Sequence, residues 1–525
     1  MKKIFLGFFL LLPALVLSQS SVNVSLFGQI DPAVARYSGS WAYTSPQGAE
    51  YALIGGFEGL SVVPIDDSTN LYQADFVPGP SSRWREITVI DQHAYVVTEG
   101  DSGDTGMQVI FLGSLPDSVQ QITTFDSTFD TGHIIEKDIL GDPNYVYVCG
   151  TNPQSTRGVH IIDVSNPAQP VEVSTYAPDY AHDCHVRGDT MYVSAIFAGY
   201  LDVVDISDKA NPVRITQLVY PNAFTHSCWT TQDNSHLLVM DEIDGLPARI
   251  HDITDLSNIQ EVAQWTANDA SLVHNAYIRG DFAFIAHNTE GLRVLDLRDP
   301  AVPVEVGHYD TWAGPSGGFD GLWSACPFFP SGKIIGANRH DGLYVWRFND
   351  AYAGRIYGLV RDSLTLAPIT NAEIRILPSN DTVFSRNDGG FAYGALPGGY
   401  TLEVAKPGYF TKTITTPLAA QDSLWFTVDL ASLASATVPP STGELQLLPG
   451  PGGRGIQARV PEAWRGEGLE LRLYDVQGRR LTAPIPLEGG RTVLALDQVP
   501  RGVLIYEFRR GDARLKAGRF MGVGE

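Results

Sequence analysis

The chain has 525 residues, of which 44% are apolar and 18% charged, so it has the means to bury sizeable cores and is not a disordered polymer. Its length implies three or four domains, and 52 Gly with 33 Pro favour a turn-dense all-β protein. A formal charge of −23 argues against a general nucleic-acid binder, which needs a basic stripe to meet the phosphates.

From the N-terminus, Lys2 and Lys3 precede an apolar stretch from Ile4 to Leu17, and Ser18 then suits cleavage. Residues 1–18 therefore read as a secretory signal peptide. The stretch is short for a bilayer span and no second run of membrane length follows, so an exported, soluble protein is expected. Four cysteines (Cys149, Cys184, Cys228, Cys326) are too few for a disulfide scaffold.

An apolar run then recurs seven times, as LSVVPI at 60–65, MQVIFL at 107–112, VHIIDV at 159–164, LDVVDI at 201–206, ARIHDI at 248–253, LRVLDL at 292–297 and LYVWRF at 343–348. Most copies follow a glycine suited to a tight turn. Each has a β-rich segment upstream, such as AYVVTE at 94–99 or LLVMDE at 237–242, and downstream come Asn-Pro or Asp-Pro breaks and a further strand, as at Asn166-Pro167 and Asp299-Pro300. With one strand more at its head, each unit is four strands in roughly 45 residues, the size of a propeller blade. Residues 19–350 are expected to form a seven-bladed β-propeller. The seventh unit lacks its last strand, and VSLFGQIDP at 24–32 is expected to cross over and supply it, which also hides an open sheet edge.

Beyond the propeller, residues 354–430 alternate strands with DGG and PGG turns, 431–444 form a small polar linker, and 445–525 are again strand-rich. The charge changes sign here: residues 451–525 carry 13 basic and 9 acidic side chains, against 23 and 50 before them. This break marks a separate C-terminal module. The fold class expected overall is all-β, a seven-bladed propeller followed by two small β-sandwiches.

Three resemblances accompany these patterns. Gly358, Asp362, Pro368, Ala372, Asp388, Gly390, Phe391, Leu396, Pro397, Gly399, Tyr400 and Gly408-Tyr409 make residues 354–430 similar to the carboxypeptidase regulatory-like family, which implies a stiff spacer without catalytic residues. Tyr474-Asp475, Gly478-Arg479, Pro500, Gly502 and Tyr506 make the last segment resemble the C-terminal sorting domain of type IX secretion. That likeness implies the type IX machinery as a partner, passage across the outer membrane, and attachment to surface lipopolysaccharide. The seven runs resemble the LVIVD repeat, and with SRWREI at 82–87, THSCW at 225–229, VHNAY at 273–277 and HYDTW at 308–312 the ring looks like the choice-of-anchor B family. That family name carries no reaction, so function has to be argued from residues.

Aligning the blade heads places Trp41, Arg85, His133, His182, His226, His274 and Trp323 at equivalent positions. Four consecutive blades thus bring a histidine to the start of the innermost strand, facing the channel. Two readings follow. The four rings are either one inherited structural residue bonded to loop backbone, or a site for Zn, Cu or Fe. In the second reading Asp183, His185, Asp241 and Glu242 are partners around the site and Arg85 binds an anionic group. Cys184 and Cys228, two residues after His182 and His226, are a disulfide candidate or soft copper ligands, with simple burial the plainer alternative. DSGDTG at 101–106 resembles a calcium loop through Asp101 and Asp104 but lacks the EF-hand pattern, and a solvated hairpin explains it better. Trp229, Trp265, Trp312 and Trp323 read as packing between blades rather than a sugar platform. No GxSxG, HExxH or phosphate-cradling motif occurs. The leading expectation is an extracellular module binding a protein or glycan ligand. The alternative is a metal-dependent enzyme at a histidine-lined channel, and a purely structural envelope protein is the third.

Overall fold

The computed structural model describes residues 20–522 apart from 33–35, 101–105, 141–142, 153–156, 434–444, 450–455, 461–467, 488–489, 495–501 and 512. The signal segment 1–18, Asp101 and Asp104, most of the linker and Pro500 lie outside the described residues. No described helix is long and apolar enough to cross a membrane. The chain divides into two compact units, Met1–Tyr352 and Ala353–Glu525.

The first unit is a seven-bladed β-propeller. In blades one to six, four antiparallel strands follow one another from the channel outward, as in Asp183–Arg187, Thr190–Ala195, Tyr200–Asp205 and Val213–Leu218 of blade four. Middle strands lie between neighbouring blades and are apolar on both faces: Phe282–Ala286 is buried throughout, whereas outermost Val213–Leu218 is mostly exposed. The Asp near the end of four of the seven runs has a local job. Asp163, Asp205, Asp252 and Asp296 each accept the backbone N–H two residues on, closing an Asx turn before the last strand. Gly106, Gly199, Gly291 and Gly342, each one or two residues before a run, take positive φ between 72° and 89°. Gly158 is needed for another reason, because a Cβ there would lie 2.1 Å from the Tyr176 carbonyl.

Blade seven is completed from the other end of the unit. Val24–Ile30 pairs antiparallel with Gly342–Phe348, which pairs with Lys333–Asn338, while Leu322 and Cys326 reach that strand from the channel side by isolated bridges. Ser21–Val22 also pairs with blade six, opposite Tyr309 and His308, so the N-terminal strand grips two blades.

A buried ion pair reinforces the junction of blades one and seven. Glu50 accepts Ser331 N–H at 3.0 Å, Ser331 Oγ–H at 2.6 Å and Lys333 Nζ at 2.9 Å, both charged side chains being 5% exposed. Burial pushes the Glu50 carboxyl up, but Ser331 and Lys333 outweigh it and hold the pKa below its ordinary 4.5. A depressed carboxylate stabilises the fold above its unfolded pKa and loses that contribution as pH falls through the folded value. Lys333→Met, which strands the carboxylate, is expected to cost about 3–5 kcal/mol at neutral pH. Glu50→Gln should cost less, and its deficit against wild type should close in acid. Denaturant titrations across pH check both, and a deficit independent of pH rules out the ion pair as its source.

The second unit begins with a β-sandwich. Gly390–Ala395, Gly354–Asp362 and Ser423–Leu430 form one sheet, and Asp381–Phe384, Glu373–Leu377, Gly398–Ala405 and Lys412–Leu418 the other. Ile356, Val360, Ile374, Ile376, Phe391, Leu402, Val404 and Val428 fill the space between. Gly358 admits the Phe391 ring, which a Cβ would approach to 2.1 Å, and Asp362 accepts the N–H groups of Leu364 and Thr365. Residues 446–522 add two further sheets around Leu447, Ile456, Leu471, Leu473, Leu504 and Phe508.

Candidate metal centre at the channel mouth

Blades three to six bring His133, His182, His226 and His274 together in an arc around the channel, all buried. Successive ring centroids are 4.6, 4.5 and 4.4 Å apart, and the arc ends on Trp323, 4.2 Å from His274. The spacing follows from the blade repeat, because equivalent positions on neighbouring innermost strands face one another across a narrow channel.

The backbone fixes how the rings present their nitrogens. His182 Nδ1 lies 3.3 Å from the His226 carbonyl and His274 Nδ1 3.2 Å from the Trp323 carbonyl. A carbonyl only accepts, so Nδ1 carries the proton and, in a neutral ring, Nε2 keeps a bare lone pair. His226 turns the same way toward the His274 backbone, but its Nδ1 makes no full hydrogen bond among the described residues, and Ser227 Oγ–H donates to the same carbonyl at 2.9 Å. Burial, reinforced by the neighbouring imidazoles, holds His182 and His226 well below the ordinary histidine pKa, so both are neutral at pH 7. His133 differs: burial opposes its charge, but Glu99, 2.7 Å from Nδ1, outweighs this and raises its pKa.

Glu242 faces these lone pairs. Its Oε1 lies 3.6 Å from His226 Nε2 and 3.7 Å from His274 Nε2, and the latter has no hydrogen-bond partner. Ligating atoms of His182, His226 and Glu242 all lie within 4.8 Å of one another. Acceptors facing acceptors across a buried gap repel one another unless a cation stands between them. Two imidazoles and one carboxylate suit Zn or Fe(II) and leave coordination positions open.

Below the arc lie Glu86, Glu136 and Asp183. Burial pushes Glu86 up to about 7, against a hydrogen bond from Trp323 Nε1 at 3.1 Å, and Asp183 up to about 8. Deeper still, Trp41, Trp229, Tyr277 and Phe328 form an aromatic plug of edge-to-face, tilted and stacked rings, 4.9–5.9 Å between centroids. A cavity of about 390 Å³ between blades five and six, lined by Thr231, Asp233, Asp281 and Arg298, contains none of these groups.

Several expectations need correction. Arg85 does not serve an anion: fully buried, it donates Nε–H to the Gly56 carbonyl and Nη2 to the Pro80 carbonyl, tying blades one and two. Asp241 does not join the site, since it accepts Tyr220 O–H at 2.9 Å and Phe224 N–H at 2.7 Å. His185 bonds Thr230 Oγ1 at 2.9 Å and packs on Trp229, and burial pushes its pKa down to about 3. Asp183 accepts its neighbour Cys184 N–H at 2.6 Å instead of bonding a histidine. Trp41 is not a blade head: it pairs with Leu53, three residues short of the end of the second strand at Gly56, and packs with Tyr277 and Phe328 in the plug. All four cysteines are free and buried; Cys184 contacts Cys149 rather than Cys228, which meets Ser194. Of the tryptophans read as packing, Trp229 lies in the plug and Trp323 lines the mouth, while Trp265 and Trp312 pack on His287 and His340.

Glu86, Glu99 and Arg339 are mouth and channel residues that the blade-head alignment missed. The signal for two of them was present: Glu99, Glu242 and Arg339 each stand directly after the second strand of their blade, which ends at Thr98, Asp241 and Asn338. Aligning that position as well as the heads finds them.

Comparison with known proteins agrees with this architecture. Residues 138–177, 178–217 and 273–311 match the LVIVD repeat, within blades three, four and six, and residues 355–431 match the carboxypeptidase regulatory-like domain. No curated protein matches the chain. Among solved structures, the periplasmic gluconolactonase of Pseudomonas aeruginosa is 13% identical at a TM-score of 0.42, over 55% of this chain and 98% of that one. The chain thus combines a propeller containing LVIVD repeats with a carboxypeptidase regulatory-like domain.

Proposed function

We propose that the propeller is a metal-dependent site for an extracellular small-molecule ligand, with Zn or Fe(II) held by Nε2 of His182 and His226 and the carboxylate of Glu242. His274 lines the same space, and Glu99 orients His133 beside it. The observation that carries this reading is the convergence of ligand atoms from His182, His226 and Glu242 within 4.8 Å of one another. The backbone bonds at Nδ1, expected of purely structural histidines, equally fix the tautomer that a metal ligand needs. Open positions on the ion would polarise a bound ligand or lower the pKa of a bound water, which is the route to a hydrolytic activity. Copper is less favoured, because the buried Cys184 and Cys228 are absent from the donor set.

Metal analysis of the full chain, purified without chelator or histidine tag, tests this. About one equivalent of Zn or Fe is expected, falling to background in His226→Ala. A folded protein without metal, which also takes up none on titration, overturns the reading.

We also propose that the ring belongs with the choice-of-anchor B proteins and that residues 445–525 act as a type IX sorting domain, placing the propeller at the cell surface, attached to lipopolysaccharide. The signal-like N-terminus and the charge reversal after residue 450 support this. A chain truncated at residue 433 should be retained in the periplasm, and unchanged surface display excludes the sorting role.

A further inference from the structure

A second unsatisfied group stands beside the arc. Arg339 follows the second strand of blade seven, the position that supplies Glu99 and Glu242 in blades two and five, and is 5% exposed. Its guanidinium lies over Trp323 at 4.6 Å and near Trp84 at 5.6 Å, two indoles that meet edge to face at 6.5 Å. Nε and Nη1 are buried and make no hydrogen bond among the described residues. Asp320, the nearby carboxylate, is engaged by His340 at 2.7 Å.

Arg85 shows how this fold treats a structural buried arginine: backbone carbonyls meet its donors. A buried guanidinium without such partners is costly, and π-stacking alone leaves its planar fork unused. Burial, with Arg36 and Arg83 adding to it and Asp320 opposing, pushes Arg339 down to about 10, so it stays charged at neutral pH. Arg36 and Arg83 are exposed and near enough for their charges to act on Arg339, on a strongly acidic chain. Trp323 contacts both Arg339 and His274, so the free fork and the histidine arc stand on two sides of one indole.

We infer that Arg339, with Arg36 and Arg83 nearby, binds an oxyanion, and that the ligand of this mouth is an organic anion whose carboxylate, phosphate or sulfate group sits on Arg339. The choice of ligand class rests on the metal-centre reading, whereas the oxyanion site stands on its own residues. The charges of Arg36 and Arg83 raise the local anion concentration and guide the ligand inward. Trp84 and Trp323 then exclude water around the fork, where a charge-assisted bidentate contact is strongest.

Calorimetric titration of the full chain with inorganic phosphate, at low ionic strength and after chelator treatment, tests the site. Saturable binding is expected below about 10 mM, weakened about tenfold or more in Arg339→Gln and partly restored in Arg339→Lys. Arg83→Gln, at an exposed position, should weaken binding about two- to threefold and flatten its salt dependence. Absence of phosphate binding to the chelated protein overturns the site, as does unchanged affinity in Arg339→Gln. If Arg339→Gln does not fold, unchanged affinity and salt dependence in Arg83→Gln overturn it. A chain that holds no metal yet binds phosphate through Arg339 refutes only the metal centre, and one that holds metal but ignores phosphate refutes only the oxyanion site.

Discussion

Deleting residues 20–31 is expected to abolish the propeller's cooperative unfolding transition rather than fray a single blade. Val24–Ile30 is the fourth strand of blade seven, so its loss bares the edge of Gly342–Phe348 along six paired residues. Ser21–Val22 and Asn23 hold blade six at the same time: Asp310 N–H donates to the Ser20 carbonyl at 2.9 Å and Asn23 Nδ2–H to the Val306 carbonyl at 2.7 Å. Asn23 passes the chain between the two sheets at φ 55°, a conformation that asparagine tolerates better than most residues. A closed ring divides its inter-blade contacts evenly, and opening it frees blades one and seven together, including the Glu50–Lys333 junction. The expected products are a broad, low-amplitude thermal transition and concentration-dependent association through the bared edge. A monomer that keeps a single sharp transition within a few degrees of the full chain overturns the closure argument.

The blade arithmetic was legible in the sequence because the repeats carry punctuation: a glycine one or two residues before six of the seven runs, and in four of them an Asp that closes an Asx turn after the run. The crossover of residues 24–32 was legible too, since a ring with one strand missing and one spare strand has a single solution. Blade one was misread at its head: Trp41 pairs with Leu53, three residues before the second strand ends at Gly56, whereas Arg85 pairs with Thr98 at the end of its own. Arg85 shows a second limit. It shares the pairing register of His182, yet its long side chain swings between blades one and two to reach carbonyls, while its neighbour Glu86 meets Trp323 in the channel. Register gives the position of a Cβ, and side-chain length and local acceptors decide where the charge ends up. Glu242 was singled out in the sequence only as a partner around the site, and the aligned ends of the second strands are what place its carboxylate against the histidine nitrogens.

Glu242→Gln is expected to weaken metal binding by about a hundredfold or more while leaving the metal-free fold nearly as stable as wild type. The carboxylate faces lone pairs on His226 and His274 across 3.6–3.7 Å and has no donor of its own there. In the absence of a cation it therefore contributes repulsion, and an isosteric amide, whose N–H can meet an imidazole lone pair, relieves it. With metal the balance reverses, since the amide supplies no negative charge and a weaker donor. An ion present at a hundred times its Kd stabilises the folded chain by about 2.7 kcal/mol, and this increment should appear in wild type and vanish with chelator or in Glu242→Gln. The same substitution thus separates two roles for the arc. Were the histidines and Glu242 only a structural network, removing the carboxylate would lower stability equally with and without metal. Thermal unfolding of both proteins, with chelator and with added Zn or Fe(II), reads the difference directly. A site that is strained when empty and relieved when filled follows from placing neutral imidazoles and a carboxylate together at the head of the channel.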